Sequence, residues 1–173
     1  MKAILLTVLF GIFCLAVSSQ TEPTKPKAFD NTNSVQAELF GHGLFYSASF
    51  EKIILNGQRI KTSAQLGAAV YPSSIDIRGN FWAPVLLNEI ISFGNHHAEI
   101  GGGFLLINEP VTSPTIRESD SKEWNPMATA RIGYRYQKPD GRWIFRLAFT
   151  PIIEEWRTDM IHPSGGVAVG YAF

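Results

Sequence analysis

The sequence predicts an all-β fold, an antiparallel up-and-down transmembrane β-barrel of eight strands, and three observations carry that prediction. Apolar and polar residues alternate with a period of two along most of the chain, the spacing that sends them to opposite faces of a strand. Beyond the amino terminus no apolar run reaches the ~20 residues that a spanning helix needs. Yet the chain is 45% hydrophobic and 12% aromatic, and its large apolar groups gather on one face of each segment. Residues 127–153 show the pattern best. Ala128, Ala130, Ile132, Tyr134 and Tyr136 alternate with Thr129, Arg131, Gly133, Arg135 and Gln137. After a turn at Pro139-Asp140-Gly141, Trp143, Phe145, Leu147 and Phe149 alternate with Arg142, Ile144, Arg146, Ala148 and Thr150. A soluble sheet would bury the apolar face and wet the arginines, whereas a barrel in lipid turns the apolar face outward and lines its interior with the arginines. The barrel is the reading adopted; a soluble secreted β-sandwich or small barrel binding an apolar ligand is the alternative.

The amino terminus reads as a cleaved signal peptide over residues 1–19. Lys2 supplies the positive start, residues 3–17 are almost uninterrupted apolar, and Val17-Ser18-Ser19 places small residues before a cut. The single cysteine, Cys14, lies inside this segment behind bulky Phe13, which disfavours a lipoprotein. The exported part therefore has no disulfide, and a barrel in a membrane is stable without one. Residues 20–33, with Pro23 and Pro26 and no period, read as a flexible leader, and residues 34–173 as the barrel. The 15 basic and 15 acidic residues include no basic tract, which excludes nucleic acid as a partner.

Within 34–173 the segments follow in order. The first spans 34–41, with Val35, Ala37 and Leu39 opposite Gln36 and Glu38. At Gly41-His42-Gly43 the phase shifts, so that Leu44, Tyr46, Ala48 and Phe50 stand opposite Ser47, Ser49 and Glu51; a turn or a bulge would both do this. Asn56-Gly57 is a strong hairpin signal that leads into 58–71, where Ala64, Leu66, Ala68 and Val70 face outward. Residues 75–88 form the next segment, marred by Pro84, and a connection over 89–95 precedes 96–107. The longest connection, 108–125, follows; the last segment is 162–173, where Val167, Val169, Tyr171 and Phe173 alternate with small residues. With eight strands both termini share a side with the short connections, and the long connections share the other.

Gly43-Leu44-Phe45-Tyr46-Ser47, the block Arg131-Ile132-Gly133-Tyr134-Arg135-Tyr136-Gln137, and the ending Gly170-Tyr171-Ala172-Phe173 together resemble small outer-membrane β-barrel proteins of Gram-negative bacteria. The resemblance implies an outer-membrane location, with membrane lipid as surroundings. It also implies a terminal strand, ending on Phe173, that the outer-membrane assembly machinery reads. It implies no particular activity, since many members of the group have none assigned.

Candidate functional residues fall into three sets. Arg78, Arg131, Arg135, Arg142 and Arg146, with Glu38, Glu51, Asp76 and Glu99, stand on the polar face and are expected to pair as a plug at matching depths, because an eight-stranded barrel is just wide enough for its side chains to fill. Trp124, Trp143, Trp156, Tyr171 and Phe173 lie near strand ends and are expected at the membrane boundary. His162-Pro163-Ser164 resembles the catalytic pair of the outer-membrane lipid A deacylases, with His162 as base and Ser164 as nucleophile. No acidic residue follows Ser164 to orient the imidazole, and Pro163 suits a loop-to-strand junction better. His96 and His97 would face opposite sides of a strand, so they make no metal site, and no cofactor is expected. Gly101-Gly102-Gly103 reads as close packing or bending of a strand. The expected function is that of a monomeric outer-membrane barrel with a plugged interior and a structural or surface-interaction role. A lipid-acting enzyme and a narrow pore are the alternatives within the same fold.

Overall fold

The computed structural model describes residues 25–71, 81–110, 122–153 and 161–173, and 109, 110 and 122 in their backbone only. The predicted signal segment, Asp76, Arg78 and Trp156 lie outside the described residues. Ten strands are assigned: β1 Asn33–Phe40, β2 Tyr46–Asn56, β3 Ile60–Val70, β4 Phe81–Phe93, β5 His96–Pro110, β6 Lys122–Gln137, β7 Trp143–Phe149, β8 Ile152–Ile153, β9 Ile161–His162 and β10 Gly165–Ala172, with a one-turn 3-10 helix, η1, at Gly41–Gly43. Each strand pairs antiparallel with its neighbour from β1 to β7; β10 pairs with β7 on one side and β1 on the other, so the wall closes. Two prolines account for the surplus over eight. Pro151 separates β7 from β8, and Pro163 separates β9 from β10, but Thr150 N donates to Ser164 O at 2.7 Å and Ala130 N to Pro151 O at 3.3 Å, so the wall remains hydrogen-bonded across both breaks. The molecule is therefore an eight-stranded antiparallel barrel.

Several predicted boundaries move. Gly41-His42-Gly43 is a turn between two strands rather than a bulge in one. The connection expected over 89–95 shrinks to Gly94 and Asn95, because Ile90 and Ser92 continue the inward positions of β4 while Ile91 and Phe93 continue the outward ones. Gly94 then makes the turn at φ 74, a conformation that costs a glycine nothing. The long connection over 108–125 shortens as well, since β5 runs to Pro110 and β6 begins at Lys122. Pro84 stays inside β4 because its ring lies over Gly67 of β3; a Cβ at Gly67 would come within 2.8 Å of it.

The faces are inverted relative to a soluble protein. Ile132, Leu147 and Phe104 are 62, 60 and 59% exposed, while Glu51 and Arg131 are 0% exposed. Only a molecule whose outside is hydrocarbon gains from this arrangement, since burying polar groups and wetting apolar ones both cost free energy in water. The strands thus form a transmembrane β-barrel whose interior is the polar side.

The interior is layered along the axis. The end that carries the termini and the short turns, here the near end, holds Phe29, Ile53 and Ile90 as a small apolar cluster. Charged residues fill the middle. Towards the far end Ala69, Tyr71, Trp82, Leu105, Ile107, Met127 and Ile152 form a second apolar cluster. The glycines of β5 let its wall approach β4: a Cβ on Gly103 would collide with the Val85 carbonyl oxygen, and one on Gly101 would lie 2.8 Å from the Leu87 oxygen. Gly102, on the outer face, has room, its nearest neighbour being Thr129 O at 3.7 Å. Two predictions follow from this packing, both read from urea unfolding in lipid vesicles. Gly103→Ala is expected to destabilise the barrel by more than the ~1 kcal/mol typical of point changes, while Gly102→Ala stays near wild type. Leu147→Arg, a charge placed on the lipid face of β7, is expected to cost ~2–4 kcal/mol.

Candidate functional site

The barrel interior brings six of the predicted charged residues together. Period-two alternation sends Glu38 of β1, Glu51 of β2, Glu99 of β5, Arg131 and Arg135 of β6 and Arg146 of β7 inward, all nearly or wholly buried. Arg146 is the centre of this cluster. Its Nε donates to Glu99 Oε2 at 2.7 Å, its Nη2 to Glu51 Oε1 at 3.2 Å, and its Nη1 to the side-chain oxygen of Gln36. Arg135 reaches the other oxygen of Glu51 at 2.8 Å and forks onto Gln137 Oε1 at 2.9 and 2.6 Å. Glu51 also accepts from Ser63 Oγ at 2.7 Å and from Gln36 Nε2 at 2.6 Å, so both its oxygens are fully used. Bare carboxylates and guanidinium groups in a dry interior would be prohibitively costly; three of each, every one within 4 Å of an opposite charge, neutralise one another.

Arg131 sits at the looser edge of the network. It donates to Gln65 Oε1 and lies 3.8 Å from Glu38 and 3.7 Å from Glu99. Its Nη2 is 3.2 Å from Nδ1 of His42, which accepts if the imidazole is neutral. That histidine arrives from an unexpected direction. The β1–β2 connection folds into the lumen instead of away from it, with Gly41, His42 and Gly43 all buried. The inward fold requires positive φ at Phe40 (62°), Gly41 (66°) and Leu44 (58°), a strained conformation at the two side-chain-bearing positions. His42 thereby crosses from the β1–β2 wall to reach β6.

The near end is closed by a residue that sequence reasoning placed in a flexible leader. Phe29 is 3% exposed. Its backbone is clamped to Asn56 by two hydrogen bonds, Phe29 N to Oδ1 at 2.9 Å and Nδ2 to Phe29 O at 2.7 Å. Its ring receives Lys61 Nζ at 4.6 Å from the centroid and the Arg135 guanidinium at 5.5 Å, and meets the His97 ring edge-on at 5.2 Å. The 25–33 part of the leader is therefore fixed to the barrel mouth from Phe29 onward. Lys61, with Nζ donating to Gln58 O at 2.9 Å and Ser92 Oγ at 2.7 Å, was not among the predicted charges although its odd position puts it on the inward face of β3.

Arg142 does not belong to the interior. It precedes β7 in the turn, before the strand's alternation begins, and is exposed; its Nη1 donates to Tyr171 Oη at 2.8 Å on the outside of the barrel. The Tyr171 hydroxyl raises the pKa of this guanidinium above its ordinary value. The aromatic set divides between the rims. Trp143 and Tyr171 meet edge-on at 5.7 Å near the termini, where Phe173 is also exposed, and Trp124 meets Phe81 at 5.8 Å at the far end.

Ser164 Oγ donates to Gly41 O at 2.9 Å, which fastens η1 to the start of β10 and uses the hydroxyl proton, while His162 is exposed on β9. His96 and His97 do face opposite sides: His97 is buried, with its ring nitrogens at Ser92 Oγ (2.8 Å) and Gln137 O (2.9 Å). Among the described residues no group of three or more His, Cys, Asp or Glu side chains could hold a metal ion.

The network sets a test. Glu51→Ala removes the shared partner of two buried arginines and is expected to cost ~3–5 kcal/mol in urea unfolding. Arg142→Ala, at an exposed position, is expected to stay within ~0.5 kcal/mol of wild type in the same measurement.

No family model and no curated protein sequence matches the chain. Two solved structures resemble it. The N-terminal β-barrel domain of Pseudomonas aeruginosa OprF superposes with a TM-score of 0.56 at 14% identity, over 83% of this chain and 100% of that one. The outer membrane protein Ail of Yersinia pestis gives a TM-score of 0.44 at 10% identity, again over 83% of this chain and 100% of that one. The likeness to the OprF domain is one of fold: this chain is an eight-stranded barrel of the kind found in outer-membrane proteins.

Proposed function

We propose that this protein resides in the outer membrane of a Gram-negative bacterium as a closed barrel that conducts nothing. Its outer connections serve a structural or surface-interaction role. The observation that carries the reading is the Glu51–Arg146–Glu99 bridge, which spans the lumen from β2 through β7 to β5 at 3.2 and 2.7 Å and leaves no charge along it unpaired. Phe29 below it and the inward η1 above it occupy the remaining width. A solute path would have to break ion pairs in a desolvated interior, a cost of several kcal/mol per pair. The far end supports the surface role, since the connections there, 72–80, 111–121 and 154–160, are longer than the near turns at Asn56-Gly57 and Gly94-Asn95.

Two measurements test this. Fractionation is expected to recover the protein from the outer membrane only with detergent; a soluble periplasmic protein would defeat the membrane reading. The purified barrel in planar bilayers is expected to show no single-channel steps, and regular steps would replace the closed interior with a narrow pore.

A further inference from the structure

On the outer wall a row of small side chains crosses four strands at one level. Ala37 of β1 pairs with Ala48 of β2, and Ala48 with Ala68 of β3. Ala83 of β4 continues the same register, because Leu66 pairs with Val85 and Ala69 with Trp82. Four adjacent strands thus present methyl groups side by side, and the wall dips into a shallow, open apolar groove of about 740 Å³. The groove is oblique. It starts at the near rim between Trp143 and Tyr171, next to the end of β10, and climbs to Phe81, which opens β4 at the far rim.

Charge fixes what lies in it. At the near mouth Arg142 donates to Tyr171 Oη at 2.8 Å and stacks at 5.8 Å from the Tyr171 ring centroid, so the guanidinium is held at the lip of the groove. It makes no ion pair among the described residues, and its other N–H groups point to no protein acceptor there. The turn that carries it also holds Lys138 and Asp140, and Asp30 is tied to that turn by its N–H donating to Pro139 O at 2.9 Å, all three exposed, so Arg142 is the cation held at the groove itself. A planar guanidinium is the side chain best suited to phosphate, which it binds by two parallel hydrogen bonds.

We propose that this groove is a binding site for one anionic glycerophospholipid, its phosphate on Arg142 and an acyl chain along the alanine row. The proposal rests on the outer-membrane reading, which places this wall in lipid. An apolar chain fits where the four methyl groups leave the wall thin, and a bulky protein side chain there would exclude it. The single cation matches a single phosphodiester rather than a multiply phosphorylated lipid.

The test is native mass spectrometry of the full-length, detergent-purified protein titrated with phosphatidylglycerol or with diacylglycerol, which has the same acyl chains and no phosphate. Wild type is expected to retain one phosphatidylglycerol with about tenfold preference over diacylglycerol, the scale of one charge-assisted hydrogen bond. Arg142→Gln is expected to erase that preference. Ala48→Phe, which fills the groove, is expected to reduce retention of both lipids, while Ala98→Phe on the outer face of β5 leaves it unchanged. Circular dichroism confirms that each variant is folded. Equal retention of the two lipids, a preference that survives Arg142→Gln, or an Ala48→Phe protein that binds as wild type would overturn the site. A dimer that Ala48→Phe dissolves would make the groove a contact between copies instead. These readouts concern protein already shown to need detergent, so their failure is separate from failure of the membrane assignment.

Discussion

Closure of β1 onto β10, from Ser34–Ala172 to Phe40–Gly166, is the constraint on which the rest of the structure depends. In hydrocarbon every backbone N–H and C=O must find a partner within the protein, and a sheet meets that condition only when it has no edge. Closing the sheet then fixes the side chains. Strand alternation allows two faces only, so the residues that lipid rejects must all enter a lumen that eight strands make just wide enough to be filled. The three glutamates and three arginines are the consequence: once inside they cannot be hydrated, and each must meet its opposite.

That dependence explains the depth match. Arg146 and Glu99 lie on strands that do not adjoin, yet Arg146 Nε is 2.7 Å from Glu99 Oε2 because the side chains reach towards each other inside the lumen over β6. Glu51 serves two arginines because β6 and β7 deliver Arg135 and Arg146 into the space facing β2. The amides of Gln36, Gln65 and Gln137 supply further donors and acceptors, while Glu99 Oε1 and Arg131 Nε stay without a hydrogen-bond partner. A pairing of this kind fixes which strands may lie opposite one another, and so favours a single register around the wall.

What could be read from the sequence was whatever alternation controls. Parity alone placed Glu38, Glu51, Glu99, Arg131, Arg135 and Arg146 inside and Trp143, Phe145, Leu147 and Phe149 outside. It failed at ends of strands, where parity no longer binds the chain: Arg142, one residue before β7, swings out to Tyr171. It holds through 89–93 as well, a stretch read as part of a connection although inward Ser92 and outward Phe93 keep the period. His42 and Phe29 lay beyond reach for another reason. The first depends on positive φ at Phe40 and Leu44, which no local propensity favours, and the second on a long-range clamp to Asn56. The direct base-and-nucleophile reading of His162 and Ser164 had no such structural control, and the hydroxyl proved to serve the η1 turn.

The two ends of the lumen are closed by different chemistry, and the charges explain why. In the middle, three carboxylates offset three guanidinium groups, which leaves Lys61 as a surplus cation at the near end, held by Gln58 O and Ser92 Oγ. A fourth carboxylate would pair with it but would also draw Arg135 away from Glu51. Phe29 avoids that competition. Its ring offers a weakly negative face to Lys61 at 4.6 Å and to Arg135 at 5.5 Å, enough to accept cations without displacing an ion pair. Towards the far end the described residues of the lumen cluster are apolar, and Trp82, Leu105, Ile107 and Met127 pack across the space. An aromatic residue in the segment before β1 is therefore part of the electrostatics of the interior as well as its stopper.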